Sequence, residues 1–256
     1  MLDWVDLARI LRKYSLHVLD DLDCFSDRGR RFLLRAAWRV EQRPRWTATE
    51  FLQLPTRSGQ LMPAPAELVL RREGFAQKYG GLRYRVRRSV LFPQGRFDSE
   101  RAWEFDLSSR LKVERHGWSF DWTGERVSAP VWYLAHTDGR IGVSDGGPFL
   151  EIAPSMGHLI ESHAIMDEVA SWDPHGGAAV DAAQIARWID GLVEVPEASG
   201  PMGAWLLSDT VALHTFRRWT SQGPRLPGGW IWTLDEHGRR TVAEALERAG
   251  NSARFE

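Results

Sequence analysis

Histidines, carboxylates and a single thiol are the residues with which this chain could do chemistry, and their spacing decides most of it. His158 and His163 stand five positions apart in one helical pattern. That is a rotation of about 500°, well off a common face, so they do not make a metal pair. His163 and Asp167, at i and i+4, could be ligands or an oriented base. On the apolar stripe Leu159, Ile160, His163, Met166 a hydrogen-bonded core histidine is the expectation. Cys24 stands beside Asp20, Asp21 and Asp23, whose negative charge disfavours the thiolate that a nucleophile needs. The chain has no His-Glu-x-x-His, Cys-x-x-Cys, Gly-x-Ser-x-Gly or phosphate-loop pattern. No catalytic residue, metal or cofactor is expected.

What remains is chemistry of recognition. Arg83, Arg85 and Arg87 alternate with Leu82, Tyr84 and Val86, so the arginines share one face of a strand and the apolar residues the other. Such a row suits phosphates or an acidic protein, and it also suits the solvated face of an antiparallel sheet. Glu104 and Asp106 alternate with Trp103, Phe105 and Leu107 in the same way, with a glycosidase-like carboxylate pair or a solvated face as the readings. Trp118, Phe120 and Trp122 fall on one side of a further strand, as core or as an interface platform. Arg83, Arg85, Arg87, Glu104, Asp106, Trp118 and Trp122 are therefore the candidate partner-binding residues.

Elements must hold these residues in place. The sharpest signal is Phe75-Ala-Gln-Lys-Tyr-Gly-Gly-Leu-Arg-Tyr84, where a helical pattern stops at two glycines and restarts as strict alternation, a helix-to-strand corner. Upstream, Trp4, Leu7, Ile10, Leu11 and Tyr14 mark an amphipathic helix. A second helix, capped by Ser26 or Asp27, carries Phe32, Leu33, Ala36, Ala37 and Val40 and stops before Pro44. Downstream, strands are expected over 82–92, 103–107, 118–122 and 131–135. Asp138-Gly139 folds a hairpin onto Ile141-Gly-Val143, Phe149–Ile152 is a short strand, and a helix runs from Ser155 to Trp172. Beyond the break at Asp173–Gly177 the pattern predicts helices after Asp181, over 204–220 and over 239–249, with a short strand at 230–232 and burial of Trp188, Trp205 and Trp219.

Composition narrows the class. Basic and acidic side chains number 33 and 34, so no global field draws the protein to nucleic acid or membrane. With 43% hydrophobic residues, one cysteine, no long apolar run and no leader-like start, a soluble cytoplasmic protein is expected. Nearly all the basic residues are arginine and 13 residues are tryptophan, the types enriched at interface centres, although most tryptophans in such a chain are core.

Pro63 and Pro65 before a helix, Phe75, Tyr79-Gly80-Gly81-Leu82, Asp138-Gly-Arg-Ile141, Phe149 and the helix from Ser155 together resemble the SUKH (SMI1/KNR4-like) superfamily over roughly residues 60–172. The resemblance implies an immunity protein that binds and neutralises a cognate bacterial toxin without catalysis, nucleases being frequent among such toxins. It carries no fixed binding residues. The expected architecture is α+β: a twisted, mainly antiparallel sheet flanked by helices. An N-terminal helical segment would cover 1–59, the SUKH-like core 60–172, and a mostly helical extension packed on that core 173–256. Two other readings stand beside it: an enzyme or nucleotide-binding protein of a class without short motifs, and a nucleic-acid-associated regulatory domain using the arginine row.

Overall fold

The computed structural model describes residues 17–41, 52–55, 59–92, 94–126, 131–175, 182–217 and 227–252. Helix α1 (Asp27–Ala36) starts where Ser26 accepts the Gly29 amide at 3.1 Å and buries Phe32 and Leu33. It does not run on to Val40 as the apolar spacing predicts. The Ala37 amide closes on the Leu33 carbonyl, Ala37 turns extended, and Ala37–Arg39 becomes strand β1. Pairing with Leu82–Tyr84 overrides a weak local helix preference, which Trp38 and Val40 do little to defend. The helix predicted over residues 4–14 lies outside the described residues. Strands β2 (Gln53–Pro55) and β3 (Leu61–Pro63) form a small ribbon of their own.

Helix α2 (Ala66–Tyr79) ends at the two glycines, with the Gly80 amide on the Ala76 carbonyl at 2.9 Å. Gly80 is in ordinary extended backbone; Gly81, at φ 77°, takes the left-handed conformation that turns the chain into β4 (Leu82–Phe92). Strands β5 (Gly95–Glu114), β6 (Gly117–Glu125), β7 (Trp132–His136), β8 (Ile141–Ser144) and β9 (Leu150–Ala153) follow. Together they make a curled antiparallel sheet in the order β1-β4-β5-β6-β7-β8-β9. The expected alternation holds on the first half of β4 and along 103–107, where Leu82, Tyr84, Val86, Trp103 and Phe105 are buried; on β6 Phe120 and Trp122 are buried, but so are Ser119 and Asp121. The buried rings form a chain of contacts, Phe32 on Tyr84, Tyr84 on Phe105 and Phe105 stacked on Trp122 at 4.9 Å between centroids.

The register of β5 on β6 slips twice between Glu104 and Leu111, and the bulge is held by buried charge. Arg72 of α2, fully buried, donates to the Ser108 carbonyl at 3.1 Å, and Asp121 of β6 accepts the Arg110 amide at 3.0 Å. Burial lowers the Arg72 guanidinium below its ordinary value and raises the Asp121 carboxyl above its own.

Helix α3 (Met156–Val169) is capped by Ser155, as the sequence predicts. After it the structure departs from expectation. The described part of the helix expected over 204–220 is strand instead: Gly203–Leu207 is β12 and Val211–Arg217 is β13, joined by a tight turn in which Ser208 exchanges hydrogen bonds with Val211. With β10 (Asp173–His175), β11 (Val193–Glu194) and β14 (Pro227–Thr233) they build a five-stranded antiparallel sheet in the order β10-β14-β13-β12-β11. The short helix α4 (Ala182–Ala186) and the closing helix α5 (Glu236–Ser252) cover it. Their shared core is Ile185, Ile189, Val211, Leu213, Ile231, Val242 and Ala245. Trp205 is buried as expected, Trp188 is instead exposed, and Trp219 lies outside the described residues.

The chain forms two compact units, one of residues 1–85 and 102–151, the other of 86–101 and 152–256. Asp173 lies inside the second.

Candidate partner-binding face

The outer face of β1, β4 and β5 in the first unit is where the sequence-predicted charges meet. Arg83 is tied to Asp106 by a side-chain hydrogen bond and stands 3.8 Å from Glu104, whose other oxygen lies 3.4 Å from Arg126. This is a band of alternating charge, neutral as a whole, rather than a basic row. Trp38 sits directly opposite Arg83 in the β1–β4 register and is 44% exposed. The face thus carries an aromatic ring at the sheet's edge strand, flanked by guanidinium and carboxylate groups fixed by ion pairs. Beside it, Arg39, Val40 and Glu41 face Ala76, Gln77 and Gly80 across an open hollow of about 480 Å³.

The other candidates go elsewhere. Arg85 is exposed on β4. Arg87 belongs to the second unit, where its guanidinium grips the buried Asp167 at 2.9 and 3.1 Å and donates to the Asp167 carbonyl. Its amide donates to the same carboxylate at 3.0 Å. That contact explains Asp167 and fastens β4 to α3; Arg87 is a structural clamp. Trp122 is buried in the aromatic core and offers a partner no surface, while Trp118 on the same side of β6 is half-buried.

Sequence reasoning missed Trp38 because it read residues 37–40 as helix. The available signal was that Trp38 falls off the predicted stripe of Phe32, Leu33, Ala36, Ala37 and Val40, so even in a helix it would face water.

The groups capable of proton chemistry are arranged for structure. His163 is buried in α3, and burial, then the charge of Arg88, holds it neutral well below its ordinary value. His214 stacks on Trp205 at 4.3 Å, and the same two causes push it down to about 3. Ser155 and His158 approach to 2.8 Å, but Ser155 also accepts the His158 amide as the cap of α3. Among the described residues no group of three or more His, Cys, Asp or Glu is placed to hold a metal ion, and no helix is long and apolar enough to cross a membrane. Cys24 is a free, exposed thiol. In comparisons with known proteins, no family model, no curated protein and no solved structure matches the chain.

Proposed function

We propose that this chain is a non-catalytic, immunity-type protein of the bacterial cytoplasm that binds and neutralises a cognate protein toxin, on a SUKH-like core over residues 60–172. The observation that carries the reading is the outer face of the first unit: exposed Trp38 in register with Arg83, and Arg83 locked to Glu104 and Asp106. A rigid sheet presenting an aromatic ring among pre-ordered charges loses little side-chain entropy on docking, which is what a protein interface requires. Two further features support it. The Gly80-Gly81 corner, the hairpin through Asp138-Gly139, β9 and the Ser155-capped α3 follow one another in the order of the resemblance. The strongly shifted histidines are buried supports. The nucleic-acid reading loses ground, since Arg83 and Arg87 are each held by carboxylates of the same chain.

The test is co-expression with the product of the reading frame adjoining the gene. That product alone should arrest growth, and this chain should restore it. Arrest that persists with the chain present at equal level contradicts the proposal.

A further inference from the structure

The hollow that begins at the end of β1 is lined by charges of both signs. Arg39, Val40 and Glu41 form one wall, and Ala76 and Gln77 of α2 with Gly80 form the other, all within the first unit. Arg39 stands 3.6 Å from Asp20, too far for a hydrogen bond, and both side chains are about half exposed. Glu41 makes no hydrogen bond or ion pair among the described residues. A guanidinium carries five donors in a fixed fork and a carboxylate carries acceptors only, so the hollow offers both kinds of partner.

A buried ring adds a third group. His17, 2% exposed, accepts the Leu19 amide on Nδ1 at 3.2 Å. Burial, then the charge of Arg39, lowers it below its ordinary value. At neutral pH the ring is therefore uncharged and carries its proton on Nε2. That donor has no hydrogen-bond partner among the described residues, although the Gly80 carbonyl is near. The ring stands against Arg39 and Gly80, two residues that wall the hollow. A buried donor left unmatched is uncommon, and a bound group that accepts from it is one way to match it.

We infer that this hollow binds a small molecule in which a carboxylate and a cation are joined by a short aliphatic stem: a basic amino acid, free or as the last residue of a peptide. Its carboxylate meets Arg39 and the His17 ring, its cation meets Glu41, and its stem lies against Val40 and Ala76. Arg39 and Glu41 are two positions apart, up to about 7 Å along the chain. That exceeds the spacing of an α-ammonium from its own carboxylate and suits the longer reach of a basic side chain. An acid alone would face Glu41 and a base alone would face Arg39, so the walls select a ligand that carries both charges. The volume of about 480 Å³ falls within the range of small-ligand sites. The site stands whether or not the chain's partner is a toxin.

The test uses the full chain, labelled with ¹⁵N and titrated with Nα-acetyl-L-lysine, which keeps only the carboxylate and the ε-ammonium. Two controls each remove one charge: the Nα-acetyl-L-lysine amide lacks the carboxylate, and Nα-acetyl-L-norleucine lacks the ammonium. Acetyl-lysine should move the amide signals of Val40, Glu41, Gln77 and Gly80 and the ring Nε2 signal of His17, and each control should bind about tenfold more weakly. Glu41→Gln should weaken acetyl-lysine about tenfold while leaving acetyl-norleucine unaffected, and Arg39→Gln should weaken acetyl-lysine while leaving the amide unaffected. Both side chains are exposed, and thermal melts matching the parent confirm that the variants fold. L-lysine and glycylglycyl-L-lysine separate the two sources: tighter binding of the first supports a free amino acid as the ligand, and tighter binding of the second a chain end. Controls that bind as well as acetyl-lysine, signal changes confined to other parts of the chain, undiminished binding by both variants, or no response at about 10 mM acetyl-lysine overturns the inference.

Discussion

Asp121 shows how a single buried carboxyl can set the pH dependence of this fold. Burial raises it above its ordinary value although the Ser108 hydroxyl and the Arg110 amide donate to it. Folding therefore favours the neutral form relative to the unfolded chain. The stabilisation it gives is complete below the ordinary carboxyl value and is lost as pH rises through the folded one. Asp121→Asn keeps an acceptor for the bulge and removes the desolvated charge. It should raise the melting temperature at pH 7 by about 2 °C and change it little at pH 4; an equal shift at both pH values contradicts this. His214 has the opposite sign. Its folded value lies at about 3 against an ordinary 6.5, so its contribution is complete above 6.5 and is lost progressively as pH falls toward 3. His214→Phe, which retains a ring against Trp205, should flatten the fall in melting temperature below pH 6.5. Arg87→Ala removes the guanidinium that pairs with the buried Asp167 and should cost about 3 kcal/mol in chemical denaturation. The solvent-face expectation for the arginine row is revised here. Arg83→Glu would set a third carboxylate beside Glu104 and Asp106, so it should lower stability as well as binding.

At the scale of elements, the corner between α2 and β4 makes a pointed prediction. Of the two corner glycines Gly81 alone has positive φ, so Gly81→Val should cost about 2 kcal/mol while Gly80→Ala is mild, as read from paired thermal melts. Similar losses at both positions would mean that crowding, and not backbone conformation, selects glycine there. The corner, β4 and the Ser155 cap were legible because each rests on local chemistry: two glycines, a strict period of two, and a side-chain oxygen placed for an amide. Residues 37–39 and 204–217 were not, for a tertiary reason. Ala37–Arg39 is a strand only because Leu82–Tyr84 lies alongside. Trp205–Leu213 has apolar spacing compatible with either period, and the Ser208 turn that decides it is short and carries no glycine. The face around Trp38 was half legible. Its charges were found on β4 and β5, but its aromatic residue sat in an element of misread type. Residues 174–256 should still fail to fold alone, although they hold a sheet. The indole of Trp205 donates to Ser162 of α3 at 2.8 Å and that of Trp232 to the Ser89 carbonyl of β4 at 2.6 Å, so the fragment would leave two buried donors without partners. A soluble 174–256 fragment that melts cooperatively contradicts this.

For the whole molecule, a near-zero net charge and a neutral band on the outer face of β4 and β5 leave no long-range field to gather a polyanion or a membrane. On the proposed function, recognition comes from short-range fit to one protein partner held in a fixed stoichiometry. In the proposed role the chain acts by occupying that partner and not by altering it. Titrating the chain into a fixed amount of the adjoining frame's product, with that product's toxic activity as readout, separates the two directly. Activity should fall linearly to zero near one equivalent of chain and stay constant with incubation time. Progressive loss of toxin activity at amounts far below one equivalent would reveal catalysis, and activity unchanged at large excess would show that the two proteins are not partners; either result contradicts the account.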